Sequence, residues 1–348
     1  MQQEQIGSDE VLARARRLAD EVLFPNALQT DSADLVPSHL LDELAAAGMY
    51  GLLGPVEAGG LAASAAEADA SVEILAGGCL TTTFVCMQHH GVVAAVAAAE
   101  QAIQEEWLRR LCAGEVRSGV AFAGLRRPGP PVMRVREADG GYLLDGHAPW
   151  VTGWGRIDLV HVAARDERGD VSWLLVDAVR SESLTIEPLR LAAVNASATV
   201  TLHLDAHFVP AERLTRREGF DEWRMRDAAG LRRNGSLALG IASRAVSLLD
   251  EELELRPALI SRIAAARQAL DDATQELLPK ARAEASALAA DAARALVIAG
   301  GGKSVRSDEH AQRLAREAMF LLVFGQTPAI RSVQLELGQL ESGQGGGV

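Results

Sequence analysis

From Asp9 to about Val116 apolar residues recur three and four positions apart, the period of helices that bury one face. Glu10 to Leu23 reads this way. Pro37 and Ser38 suit a helix start and Gly48 its end, so Ser38 to Ala47 is a short amphipathic element followed by a Gly59-Gly60 turn. Ser64 and Glu67 stand at capping-box spacing and open a helix to Ala76; Thr81 to Ala99 is another, and Trp107 to Glu115 closes this helical part.

The pattern then changes to short alternating runs between turn signals, from about Gly119 to Leu214. Asp139-Gly-Gly separates the run Val132–Arg136 from Tyr142–Gly146 and predicts a hairpin. Asp158–Arg165 and Val171–Asp177 read as strands joined by Asp166–Asp170. In Thr199–Asp205 the alternation of Val200, Leu202 and Leu204 with polar residues predicts a sheet buried on one face, and Pro210 ends its ladder. From Phe220 onward helical spacing returns in Ala-rich runs at Arg226–Leu253, Pro257–Leu278 and Ala281–Ala299, with a last helix from about Asp308 to Leu322. The expectation is an α+β multidomain chain: an N-terminal helical domain over residues 1–117, a small central β-sandwich or barrel over 118–214, a C-terminal four-helix bundle over 215–342, and a disordered tail at 343–348.

Composition sharpens this picture. With 348 residues the chain fits two or three packed units. Apolar residues make up 48% but aromatics only 4%, so Ala, Leu and Val fill the interior. A formal charge of -13 argues against nucleic acid as a partner, because phosphate backbones need clustered cations. No apolar stretch has the length and freedom from charge of a membrane span, and the polar, acidic start lacks a signal-peptide pattern, so a cytoplasmic location is expected. Cys79, Cys86 and Cys112 lack CxxC spacing and read as buried thiols, and the eight His are scattered without ligand spacing, so no metal is expected.

The wording at the joints is more specific than the order of segments. Gly51-Leu-Leu-Gly-Pro-Val-Glu-Ala-Gly-Gly, Trp150-Val-Thr-Gly, His207-Phe-Val-Pro-Ala-Glu-Arg-Leu and Leu296-Val-Ile-Ala-Gly-Gly-Gly together make the chain resemble the acyl-CoA dehydrogenase family over most of its length. The resemblance implies an FAD site in which Trp150 walls the isoalloxazine and Thr152, beside Val151, hydrogen-bonds near N5; a flat ring system wants an aromatic wall and hydride arrival wants an oriented polar partner. It also implies FAD contacts from Phe122 and Ala123, and adenine contacts from Gly300 and Gly301 across a subunit boundary. Val297 stands where the family has Gln, and Lys303 where it has its last Gly. Gly300-Gly-Gly-Lys-Ser imitates a phosphate loop, but Val297 occupies the position of that loop's first Gly, so the segment reads as a helix end.

The resemblance breaks at the catalytic carboxylate. Phe324 stands where the family places its base, and Gly230 where some relatives carry it instead. Asp227 is the nearest carboxylate to Gly230, and His89, in Thr81-Thr-Thr-Phe-Val-Cys-Met-Gln-His-His-Gly, is the other candidate acid or base. The alternative for His89 is a hydrogen-bonded position at a helix end. Phe84, Gln88 and Phe324 are the expected lining of the substrate pocket. The family's flavin-contacting loop is replaced by Phe122-Ala-Gly-Leu-Arg-Arg-Pro-Gly, in which Arg126 and Arg127, with Arg256 elsewhere, offer guanidinium donors.

The expected activity is an FAD-dependent dehydrogenation of an acyl thioester or a related small molecule. A catalytically silent subunit working with an active homologue, or a flavin-dependent hydroxylase on the same fold, are the alternatives. An electron-transfer flavoprotein is a fitting acceptor, and a homodimer or homotetramer is expected.

Overall fold

The computed structural model describes residues 7–127 and 129–343. The N-terminal part is helical. It contains α1 (Ser8–Arg17), which widens into a π-helical turn over Leu18–Leu23, then α2 (Ala27–Ser32), α3 (Ser38–Ala46), α4 (Ala65–Gly78) and α5 (Leu80–Ala97), and the short pieces α6 (Gln101–Ile103) and α7 (Arg109–Cys112). The capping box that opens α4 is formed in full: Glu67 N–H donates to Ser64 Oγ at 3.2 Å and Ser64 N–H to Glu67 Oε2 at 2.7 Å. Ser64→Ala is expected to cost about 1 kcal/mol, read as a lower urea midpoint with unchanged slope.

The middle is one eight-stranded sheet: β1 (Ser118–Ala121), β2 (Met133–Ala138), β3 (Gly141–Val151), β4 (Leu159–Arg165), β5 (Val171–Asp177), β6 (Leu184–Pro188), β7 (Val200–Pro210) and β8 (Leu214–Glu218). Its order is β6-β7-β3-β2-β4-β5-β8, with β1 parallel to β4. A single parallel pair, Arg134 with Arg165, joins β2 to β4, so the sheet folds there into two leaves. Val151, Val200 and Leu202 from one leaf meet Val160, Val162 and Leu174 from the other in a shared core, which is the expected sandwich. The hairpin at Asp139-Gly140 is a two-residue loop closed by the pair Ala138 and Gly141, with Gly140 at φ +73.

The C-terminal part holds α8 (Phe220–Ala229), α9 (Leu231–Ser247), α10 (Leu255–Asp272), α11 (Leu278–Gly300), α12 (His310–Val323) and α13 (Pro328–Gly343). Two expectations change here. The single helix expected from Arg226 to Leu253 is divided at Gly230, which closes α8 and opens α9. A helix follows the run expected to be last: Pro328 opens α13, and Thr327 Oγ1 accepts the Ile330 N–H at 3.3 Å in place of a helical carbonyl. Gly343 therefore closes a helix, while the rest of the expected tail lies outside the described residues. The largest core cluster joins α4 and α5 to α9–α12, so the N-terminal and C-terminal helices share one interior.

Candidate functional site

The end of β3 turns sharply. Trp150 sits at φ +64, left-handed for a residue with a Cβ, and its side chain is 52% exposed. Val151 goes the other way, fully buried in the sheet core, so its side chain backs the turn and faces away from any ligand at Trp150. Thr152 is buried, and its hydroxyl stands 3.3 Å from Thr199 Oγ1, which in turn pairs with Ser197 Oγ at 2.8 Å. The loop behind it carries two further left-handed residues, Val194 at φ +51 and Ala198 at φ +45, and Gly153 N–H bonds Ser197 O at 2.8 Å. Such conformations cost about 1–3 kcal/mol each and persist only where the surroundings impose them.

Two glycines let other elements close on this turn. A Cβ on Gly119 of β1 would lie 2.8 Å from Thr152 O, and one on Gly153 would lie 3.4 Å from Val85 Cγ1 of α5. The turn is therefore seated between β1 and α5, one residue along from Phe84.

Phe84 belongs to a closed aromatic triad. Its ring centroid is 5.2 Å from Phe320 and 4.9 Å from Phe324, and those two stack at 5.4 Å. Phe324 caps the end of α12, held from below by Arg282, whose Nη2 donates to Leu321 O at 3.1 Å and Phe324 O at 3.4 Å. Arg282 is buried and has no carboxylate partner among the described residues, and burial brings its pKa down to about 10, so it stays charged at neutral pH. Gln88 turns back on its own helix, donating to Phe84 O at 3.3 Å.

On the sheet side, Phe122 and Ala123 are half-buried at the end of β1, and the following turn packs against β3. The Arg126 guanidinium lies 5.0 Å from the Phe122 ring and makes a two-bond fork on Asp227, Nε to Oδ2 at 2.8 Å and Nη2 to Oδ1 at 2.7 Å. This pair links the β domain to α8, and it brings Asp227 close to the turn that carries Phe324 and Gly325.

Both candidate bases are engaged in contacts of their own. Asp227 has its two oxygens committed to Arg126, and Gly230 contributes a helix junction. His89 is fully buried: Nδ1 accepts the Ser118 N–H at 3.0 Å and Nε2 lies 3.0 Å from Leu111 O. A neutral ring with its proton on Nε2 satisfies both neighbours, and burial pushes its pKa down to about 3, so it pins α5 to β1 and has no free lone pair. That is the hydrogen-bonded alternative weighed for it. Gly300 and Gly301 end α11, with Gly301 at φ +60, and a Cβ on Gly301 would meet nothing within 4 Å. Gly301 stands at an open corner flanked by exposed Ile298 and Val305, while Gly300 is packed against the Ser304 side chain. Among the described residues no group of His, Cys, Asp and Glu is arranged to hold a metal.

The sequence pattern missed the Arg126–Asp227 fork, whose members are 101 positions apart, and the cap by Arg282. The spacing of Phe320 and Phe324 by one helical turn, in a chain with few aromatics, was the available signal for the triad.

The family model "Acyl-CoA dehydrogenase, N-terminal domain" matches residues 7–115. Benzylmalonyl-CoA dehydrogenase of Aromatoleum aromaticum is 26% identical over 249 residues, 66% of this chain and 63% of that protein, so the chain matches less than two thirds of that relative's length. Among solved structures, butyryl-CoA dehydrogenase from Megasphaera elsdenii superposes with a TM-score of 0.81 at 18% identity, covering 98% of this chain and 100% of that one. A glutaryl-CoA dehydrogenase from Mycobacterium smegmatis in complex with FADH2 superposes with a TM-score of 0.79 at 18% identity, covering 96% and 95%. These structural likenesses show the fold.

Proposed function

We propose that the chain is a member of the acyl-CoA dehydrogenase family, supported by the match of residues 7–115 to that family's N-terminal domain and by the shared fold, and that it is an FAD-dependent oxidoreductase that removes two hydrogens from the α and β carbons of an acyl thioester or a related small molecule. The observation that carries this reading is the Trp150 turn: a large indole held out at a left-handed residue, over a buried Thr152 hydroxyl, between β1 and α5. A flat, mostly apolar ring system fits such a wall, and the half-buried Phe122 and Ala123 extend it. When bound, the flavin supplies the hydride acceptor.

The chain's own residues bind and orient. Trp150 gives stacking area, and Thr152 offers one hydroxyl already fixed by Thr199 and Ser197. Phe84 and Phe324 keep water from the acyl side. Gly300 and Gly301 offer close backbone approach to the adenine end of FAD held by a neighbouring copy. Hydride transfer to the flavin requires that a base take the α-proton; the reading assigns that proton to neither Asp227 nor His89, since one holds Arg126 and the other holds Ser118 and Leu111, so it would pass to a base outside these two. A homodimer or homotetramer fits the exposed Ile298, Val305 and Met319 of the C-terminal helices. An electron-transfer flavoprotein is the proposed acceptor. Among the described residues no helix is long and apolar enough to cross a membrane, and the cytoplasm is the proposed location.

The test is the visible spectrum of the protein with FAD, followed by anaerobic addition of acyl-CoA thioesters. Bound flavin that is bleached supports the reading; bound flavin that no thioester bleaches overturns the dehydrogenase activity. Trp150→Ala is expected to weaken FAD binding roughly tenfold, about 1.4 kcal/mol, measured by quenching of flavin fluorescence. Unchanged affinity would remove Trp150 from the flavin site.

A further inference from the structure

We infer that Arg126 and Asn234 form a carboxylate-binding subsite at the Phe324–Gly325 turn, for a thioester whose acyl group carries a second, free carboxylate. The inference rests on the acyl-thioester reading above and names the substrate class within it.

Arg126 presents a fixed edge. Asp227 holds Nε and Nη2, the Phe122 ring supports the guanidinium, and the side chains of both members of the pair are mostly buried. The remaining nitrogen, Nη1, makes no hydrogen bond among the described residues. Asn234, on the first turn of α9, has a side-chain amide that is likewise unpaired there. Both groups converge on Gly325, which stands at φ +61 without a side chain. A Cβ at that position would lie 3.0 Å from Asn234 Nδ2 and 3.8 Å from Arg126 Nη1. The two donors therefore flank one small volume that any larger residue would fill.

The chemistry of the donors selects the ligand. A planar guanidinium edge beside an amide matches the two oxygens of a carboxylate, and donors left unpaired in a partly buried site gain most from a charged acceptor. A thioester carbonyl can also accept from two donors, but it has a single uncharged oxygen and forms the weaker hydrogen bonds. Arg232 and Arg233, on the same turn of α9, do not compete for the anion because they are committed to Asp271 and Asp69. Phe324, next to Gly325, packs on Phe84 at a centroid distance of 4.9 Å, and both rings belong to the apolar acyl side in the acyl-thioester reading, so the volume adjoins that side.

The experiment uses the full-length FAD-loaded protein and three matched pairs of thioesters: succinyl-CoA with butyryl-CoA, glutaryl-CoA with valeryl-CoA, and adipyl-CoA with hexanoyl-CoA. Dissociation constants are read from the perturbation of the flavin spectrum. In at least one pair the carboxylated thioester is expected to bind about tenfold or more tightly, and Arg126→Met is expected to bring that ratio to about one. Gly325→Ala, which fills the volume and leaves the Arg126–Asp227 pair in place, is expected to lower the same ratio. Ratios near one in every wild-type pair, or a preference that survives both substitutions, would overturn the subsite. Failure of all six thioesters to bind would instead overturn the acyl-thioester reading, and the subsite with it.

Discussion

Arg313→Met is expected to destabilise the protein by about 3–5 kcal/mol at neutral pH, because it strips the partner from a buried carboxylate. Arg313 and Glu317 are both buried on α12, and Arg313 Nη1 lies 2.8 Å from each Glu317 oxygen. The loss is a large share of the about 5–15 kcal/mol that holds an ordinary domain folded. Burial raises the pKa of Glu317, opposed by Arg313, while Asp31 raises it further and Arg316 lowers it. Removing Arg313 removes the main opposition, so the folded variant holds the proton still more tightly. A carboxyl whose folded pKa lies above its unfolded value, about 4.3, adds stability below the unfolded pKa and loses it as pH rises through the folded pKa. The deficit of the variant should therefore be greatest near neutral pH and shrink on acidification. Urea unfolding of both proteins at about pH 7 and about pH 5 measures this linkage. Adding Glu317→Gln should recover most of the loss near neutrality; no recovery would mean that Arg313 acts through its packing near His310 and Phe24.

Gly240→Ala is expected to cost about 3 kcal/mol, against the gain a helix normally draws from replacing Gly with Ala. The new Cβ would lie 2.2 Å from Glu73 O and 2.9 Å from Gly77 N, both backbone atoms of α4, so the two helices must part. Their contact ties the N-terminal helices to the C-terminal bundle in one core. Gly91→Ala is the control: it lies exposed on α5, its Cβ would meet nothing within 4 Å, and it should stabilise by about 0.5–1 kcal/mol. Thermal melts of the two variants should move in opposite directions.

Much of the architecture was legible because its signals are local. Helical spacing, the Ser64–Glu67 capping box and the two-residue loop at Asp139-Gly140 each act within a few residues, and the structure forms all three. The resemblance at Trp150-Val-Thr pointed to the turn that the fold exposes. Gly230 and Thr327-Pro328 carried local signals as well, but a run rich in Ala hid the break at the first, and a helix start was not read at the second.

The sequence by itself determined the succession of helical, β and helical segments, because hydrophobic period and turn chemistry are properties of neighbouring residues. Only the tertiary structure decided which polar groups meet. His89 became a clamp when α5 closed on β1, Asp227 a partner of Arg126 when α8 met the β domain, and Gly240 an essential gap when α9 crossed α4. Contacts between residues tens to hundreds of positions apart arise from the packing of whole elements, and no local pattern encodes the atom that a side chain will finally face.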